Sequence, residues 1–187
     1  RIGADSRLNS IKYFLFCGET LPHTLALTIH KEFSSAIIYN TYGPTEATVA
    51  TTKIEITQEI LNTYNPLPVG FPKPDCEILI ETENPGDKEG ELVIVGDNVS
   101  IGYFNNEELN KQKFFVHKGK RAFKTGDLAY YENGMLFCKG RNDDQIKMHG
   151  FRIELNEITN AICKNELISA AVTIGLRRNN EVKKIVS

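Results

Sequence analysis

The 187 residues carry 22 basic and 24 acidic side chains, for a net charge of −2, and 41% of them are hydrophobic. That balance suits a globular chain with its own core and gives no basic surface for nucleic acid. No apolar run is long enough to cross a membrane.

The opening RIGADSRLNS is polar and is no signal peptide. Residues 11–17 (IKYFLFC) read as a short buried strand, broken at Gly18-Glu19-Thr20. A helix follows, with Thr20 as its expected cap and Pro22 in its first turn; Leu21, Leu25, Ala26, Ile29 and Phe33 recur at helical spacing. Ile37-Ile38-Tyr39 is a second strand running into Asn40–Glu46 (NTYGPTE), so strand–helix–strand predicts a parallel pair. ATVATTKIEI from Ala47 is β-branched and predicts a strand. Prolines 66, 68, 72 and 74 then punctuate a loop. Strands are predicted at 76–81 and 91–95, with a hairpin of 128–131 and 135–139 around Asn133-Gly134.

Residues 1–65 thus read as the end of an α/β domain and 66–140 as a small all-β, barrel-like unit. Residues 141–187 read as a linker followed by the start of an α+β domain. Within the last, a strand at 145–149, a turn at Gly150, a helix over 155–165 and a strand over 168–175 are expected. The end, KKIVS, falls inside what reads as a further strand, as in a piece of a longer protein. Arg177-Arg178 and Lys183-Lys184 read as a solvated turn. Cys17, Cys76, Cys138 and Cys163 and the four histidines are scattered. Reduced thiols in a cytoplasmic protein, and no structural metal, are therefore expected.

Four segments could carry chemistry. NTYGPTE gathers an amide (Asn40), hydroxyls (Thr41, Thr45), a ring (Tyr42) and a carboxylate (Glu46) around Gly43-Pro44. A ring can stack on a base, a hydroxyl can meet a phosphate oxygen, and a carboxylate can hold Mg²⁺. Phe123–Asp127 (FKTGD) offers an aspartate for two ribose hydroxyls. The spaced run Gly140–Ile158 holds Arg141, a residue type suited to phosphate. Gly90–Tyr103 (GELVIVGDNVSIGY) is the fourth. On residue chemistry alone the first two read rather as polar turns and the third as a solvated linker.

Taken together and in this order, the four segments resemble the adenylate-forming superfamily: acyl-CoA synthetases, luciferases and the adenylation domains of peptide synthetases. The likeness runs from about Phe14 to Val186. It implies the C-terminal part of that family's large domain, followed by the start of its small one. Within the superfamily, FLFCGETLP (14–22), NTYGPTEATVA (40–50), LPVG (67–70) and Lys124 resemble the D-alanine-activating branch.

The resemblance implies a two-step reaction using ATP and Mg²⁺: D-alanine becomes its adenylate, then passes to the phosphopantetheine thiol of a carrier protein for D-alanylation of teichoic acid. It implies that Tyr42 stacks on adenine, with Asn40, Gly18 and Glu19 near its edge and Thr41 and Gly43 in the nucleotide-binding stretch. Thr45 would contact the α-phosphate, Glu46 bind Mg²⁺, Asp127 bind ribose, and Arg141 lie near ribose or phosphate. Cys17 would line the amino-acid pocket. Asp143 would be the hinge, and Lys147, Gly150 and Arg152 would serve the thioester step. A peptide-synthetase or acyl-CoA ligase domain for another acid, and a non-catalytic nucleotide-binding module, are the competing expectations.

Overall fold

The computed structural model describes residues 8, 10–148, 151–178 and 181–187. The chain divides into two compact units, Arg1–Gly140 and Arg141–Ser187.

The first unit opens with β1 (Tyr13–Phe16), α1 (His23–Glu32) and β2 (Ile37–Tyr42). β1 and β2 pair in parallel, Phe16 opposite Asn40, so their C-terminal ends lie side by side. Thr20 is not the helix cap. Pro22 holds that position with extended backbone, and its carbonyl accepts from the Leu25 and Ala26 N–H groups. Ala26 and Ile29 turn the helix toward a core with Leu21, Ile38, Ile54, Ile56, Leu61 and Leu67. Each of these leucine and isoleucine side chains contributes roughly 1.5–3 kcal/mol by leaving water.

The strand expected from Ala47 begins only at β3 (Thr52–Glu55), antiparallel to β2. Residues 43–51 form a closed loop instead. The Thr51 N–H donates to the Tyr42 carbonyl at 2.8 Å, and Thr45–Ala47 make a single 3-10 turn. Two short elements complete this sheet and its surroundings: α2 (Gln58–Thr63), capped by the Thr57 hydroxyl, and β4 (Phe71–Pro72), which pairs with β3.

β5 (Cys76–Glu81), β6 (Glu89–Gly96), β7 (Phe114–His117), β8 (Lys120–Glu132) and β9 (Met135–Arg141) form the second sheet, in the order β5-β6-β8-β7 with β9 on β8. Among the described residues this sheet is open, not the barrel that the run of strands predicts. Its two ends, β5 and β7, do not pair with each other. The hairpin turn is as expected: Asn133 and Gly134 both take positive φ, 50° and 78°. The helix α3 (Glu107–Lys113) precedes β7, and the Asn106 side chain caps it. The core between these strands holds Ile78, Leu92, Ile94, Val99, Phe123, Ala129 and Leu136, with Ala47 of the β2–β3 loop packed among them. Residues on both sides of position 65 therefore build one unit: β4 joins the first sheet, and Gly70 bridges Leu136 of β9.

In the second unit β10 (Gln145–Met148) and β11 (Phe151–Glu154) are antiparallel, and α4 (Leu155–Ile162) follows. The strand expected over 168–175 instead lies at β12 (Ile174–Arg178), because β13 (Glu181–Val186) sets the register: Gly175 faces Ile185 and Leu176 faces Lys184. The basic pairs accordingly sit in strands, not in a turn. No helix among the described residues is long and apolar enough to cross a membrane.

Candidate active site

The site of the first unit lies where β1 and β2 end. In open α/β sheets this is the side on which ligands bind, because the connections leave a crevice beyond the carboxyl ends of the strands.

Three residues of β2 have different duties. The buried Asn40 donates its amide to the Pro68 carbonyl at 2.8 Å, fixing the proline loop to the strand end. The Thr41 hydroxyl donates to the Phe16 carbonyl at 2.7 Å and so locks β1 to β2. Tyr42 extends toward the second sheet and donates its hydroxyl to Asp127 Oδ2 at 2.5 Å.

Beyond Tyr42 the backbone turns so tightly that only glycine fits at position 43. A Cβ there would collide with the backbone of Val49 and Thr51. Thr48 and Val49 both take left-handed conformations, φ 60° and 63°. For a β-branched residue such as Val49 this is strained and needs the surrounding contacts to hold it. The loop has such contacts: the Thr48 hydroxyl donates to the Asn98 carbonyl at 2.8 Å, and the Asn98 amide donates to the Ala47 carbonyl at 3.0 Å. At the crest, Thr45 is exposed and Glu46 is buried, with 7% of its surface accessible. The exposed Cys17 follows β1, its thiol 3.8 Å from the Val49 carbonyl, and leads into Gly18 at φ 92° and the exposed Glu19.

Asp127 is placed by a bulge in β8. Glu91 faces Leu128 and Val93 faces Lys124, so Leu92 alone opposes Thr125, Gly126 and Asp127. The surplus backbone groups are satisfied locally. The Thr125 hydroxyl donates to the Leu92 carbonyl at 2.7 Å and accepts the Asp127 N–H at 3.0 Å. The Glu91 carboxylate accepts the Gly126 N–H at 2.8 Å, and Gly126 supplies the φ of 76°. Thr-Gly-Asp is thus a bulge within β8, not a polar turn. Glu91, Thr125, Val49 and Tyr103 were not among the candidate residues. Glu91 and Tyr103 stand at either end of the recurring Gly90–Tyr103 pattern, which is the signal that marks them.

Burial, and after it the Asp127 carboxylate, hold the Tyr42 phenol well above the usual tyrosine range. The folded state therefore keeps a proton that the unfolded chain loses near pH 10, so this stabilisation is complete below about pH 10 and declines as pH rises further. Tyr42→Phe should flatten the alkaline fall in unfolding free energy by at most about 1.4 kcal/mol per pH unit, read from urea melts between roughly pH 8 and 11.

In the second unit Arg141 grips Asp143 with two bonds, Nε to Oδ1 and Nη2 to Oδ2, both 2.6 Å. Asp143 Oδ1 also accepts the Gln145 N–H at 3.2 Å. Arg152 lies 3.8 Å from Glu154, whose carboxyl is raised mainly by burial while Arg152 opposes the shift. Lys147 is in β10, the exposed Arg152 is in β11, and Gly150 lies outside the described residues. The first unit thus gathers Cys17 to Glu19, Asn40 to Glu46 and Asp127. Arg141, Asp143, Lys147 and Arg152 belong to the second.

Oxygen donors dominate the crest, which suits a hard cation held largely by substrate phosphates. No cluster of three or more His, Cys, Asp or Glu side chains among the described residues could cage a metal. A single buried carboxylate beside an exposed hydroxyl fits Mg²⁺ carried in with a nucleotide, because Mg²⁺ keeps most of its other ligands from phosphate and water.

D-alanine–D-alanyl carrier protein ligases of Bacillus cereus and Bacillus cytotoxicus are each 47% identical to the chain, over 95% of it and 36% of their own length. The chain thus spans about a third of these relatives. Among solved structures, the Vibrio cholerae adenylation domain AlmE in complex with glycyl-adenosine-5'-phosphate superposes with a TM-score of 0.83 at 27% identity, over 96% of this chain and 36% of that one. A nonribosomal peptide synthetase protein containing adenylation and carrier domains, bound to a vinylsulfonamide inhibitor, gives 0.80 at 27% identity, over 93% and 32%. The AMP-binding enzyme family matches residues 2–104, more than half of the chain, and with relatives 47% identical over 95% of it, the chain belongs to that family.

Proposed function

We propose that the protein containing this chain is an AMP-forming ligase that activates D-alanine and transfers it to the phosphopantetheine thiol of a carrier protein, for D-alanylation of teichoic acid. The observation that carries the reading is the 47% identity to D-alanine ligases along 95% of the chain, with Cys17 set beside the nucleotide loop. The units follow: 1–65 and 66–140 are parts of the large domain, and 141–187 is the hinge and the start of the small one. ATP as co-substrate and free thiols fit the cytoplasm.

In the first step a carboxylate oxygen of D-alanine attacks the α-phosphorus of ATP, the bond to the β-phosphate bridging oxygen breaks, and pyrophosphate leaves. No side-chain nucleophile is needed; positioning and electrostatics do the catalysis. Asp127, held by Tyr42 and the bulge, accepts the ribose hydroxyls, and the Tyr42 ring, with Gly18, Glu19, Asn40, Thr41 and Gly43 around it, sets the adenine. Thr45 donates to an α-phosphate oxygen. Glu46 would hold Mg²⁺, which when bound neutralises charge on the phosphate oxygens. In the second step the carrier thiol sulfur attacks the acyl carbon, AMP departs with the C–O bond's electron pair, and the thiol proton goes to solvent. Asp143 would be the pivot between the steps, bringing Lys147, Gly150 and Arg152 to the thioester. The Arg141–Asp143 grip is then the contact that breaks when Arg141 turns to ribose or phosphate.

Cys17 would fill the space beside a one-methyl side chain and disfavour the L-enantiomer by crowding. A methyl-sized difference is worth about 1–3 kcal/mol. Cys17→Ala in the full-length protein should therefore lower the D- over L-alanine preference in ATP–pyrophosphate exchange by about tenfold. An unchanged preference removes Cys17 from the pocket; absence of any D-alanine preference in the wild type removes the substrate assignment.

A further inference from the structure

Glu46 does not stand alone at the crest of the β2–β3 loop. The Tyr103 hydroxyl donates to Glu46 Oε1 at 2.6 Å, and the Ser100 N–H donates to the Glu46 carbonyl at 2.8 Å. Tyr103 is itself fixed from two sides. The Asn110 amide clamps its backbone, Oδ1 accepting the Tyr103 N–H at 2.6 Å and Nδ2 donating to its carbonyl at 2.9 Å. Its ring meets Phe114 edge-on at 5.3 Å, and Phe114 rests on Phe123 of the core at 4.8 Å. Gly102, at φ 131°, leaves the room that the Asn110 side chain occupies. Val99 anchors the same segment in the core at 1% exposure.

Packing alone does not account for a tyrosine here. Phenylalanine would make the same edge contact with Phe114; what tyrosine adds is the hydroxyl, and that hydroxyl goes to Glu46. A carboxylate that binds a cation is commonly oriented by such an outer partner.

We infer that Tyr103 is a positioning residue for metal binding: its hydroxyl, held by Asn110 and Phe114, fixes the carboxylate of Glu46 in the orientation that receives Mg²⁺ with the nucleotide. The inference rests on the proposed adenylation chemistry and extends it to a residue that acts through Glu46.

The test uses the full-length protein, Tyr103→Phe, Glu46→Gln and the double variant. Mn²⁺ binding with ATP and no amino acid is followed by electron paramagnetic resonance, and D-alanine-dependent pyrophosphate exchange is titrated with Mg²⁺. Tyr103→Phe should weaken Mn²⁺ binding about tenfold and raise the Mg²⁺ requirement of exchange alike, with the KM for D-alanine unchanged. On the Glu46→Gln background it should add nothing, because its effect passes through that carboxylate. Wild-type Mn²⁺ affinity in Tyr103→Phe, or losses that multiply in the double variant, overturns the inference. Should Tyr103→Phe not fold, Asn110→Asp loses the donor to the Tyr103 carbonyl and should weaken Mn²⁺ binding in the same direction; unchanged binding again overturns it. A wild type that binds Mn²⁺ with ATP yet shows no D-alanine-dependent exchange contradicts the proposed function, while the Mn²⁺ comparison still decides the role of Tyr103.

Discussion

Glu46→Gln in the full-length protein should slow adenylate formation by ~10²–10³-fold, with the thermal transition little changed. Glutamine has the same shape, and its carbonyl oxygen can still accept the Tyr103 hydroxyl that reaches Glu46 Oε1 at 2.6 Å. The Ser100 N–H bond to the backbone of residue 46 is untouched. What disappears is the negative charge, and with it the protein's share of Mg²⁺ binding at phosphates whose charge grows in the transition state. Pyrophosphate exchange across a range of Mg²⁺ concentrations, beside a thermal melt, checks this. Exchange at the wild-type rate would remove Glu46 from the metal site.

Asp127→Asn should act on a different constant. If Asp127 accepts both ribose hydroxyls, each bond to its charge is worth ~1.5–3 kcal/mol, and an amide keeps only one acceptor oxygen. The KM for ATP should rise by about a hundredfold, with a smaller loss in kcat, because the ribose contact is made in ground and transition states alike. The bulge need not rearrange. It is held by the Asp127 N–H, the Thr125 hydroxyl and the Glu91 carboxylate, none of which the substitution removes. Steady-state kinetics with ATP varied at saturating D-alanine separates the two constants; an unchanged KM for ATP would contradict the ribose assignment.

The two predictions differ because the two carboxylates sit in different structures. Glu46 lies on a loop whose strain at Thr48 and Val49 is held by Asn98 and the segment leading to Tyr103. Asp127 lies in a strand, aimed by a bulge in which three residues oppose Leu92 alone.

Much of this was legible in the sequence. The β1–α1–β2 order and its parallel pairing follow from IKYFLFC, the helical spacing through Phe33, and Ile37-Ile38-Tyr39. The Asn133-Gly134 turn follows from its dipeptide. The family was legible because four spaced segments occur in register, though no single one of them has a chemistry that excludes an ordinary turn. The ends of strands were harder. ATVATTKIEI has strand composition, yet its first half is a loop, because Ala47 is drawn into the core of the second sheet and Gly43 packs on Val49. The strand expected over 168–175 moved to Ile174–Arg178 because pairing with Glu181–Val186, not local composition, sets its place. The α2 and α3 helices are six and seven residues long, too short for periodicity, although Thr57 and Asn106 mark their starts as caps. The expected barrel is an open sheet, since a run of short strands fixes neither closure nor order.

Within the site, residue types pointed to Glu46 and Asp127 but not to what aims them. Tyr103 lies 57 positions from Glu46, and Asp127 lies 85 from Tyr42; contacts over such separations leave no local pattern. The Asn40 amide and the Thr41 hydroxyl donate to the Pro68 and Phe16 carbonyls, 28 and 25 positions away, contacts that their residue types do not announce.

The most direct measurement of the central claim is mass-spectrometric detection of the aminoacyl adenylate made by the full-length protein from Mg-ATP and an equimolar mixture of isotopically distinguished D-alanine, L-alanine and glycine. The account predicts D-alanyl-AMP in large excess and its conversion to a thioester when a phosphopantetheinylated carrier is added. Equal adenylates from all three, or none from D-alanine, would contradict it.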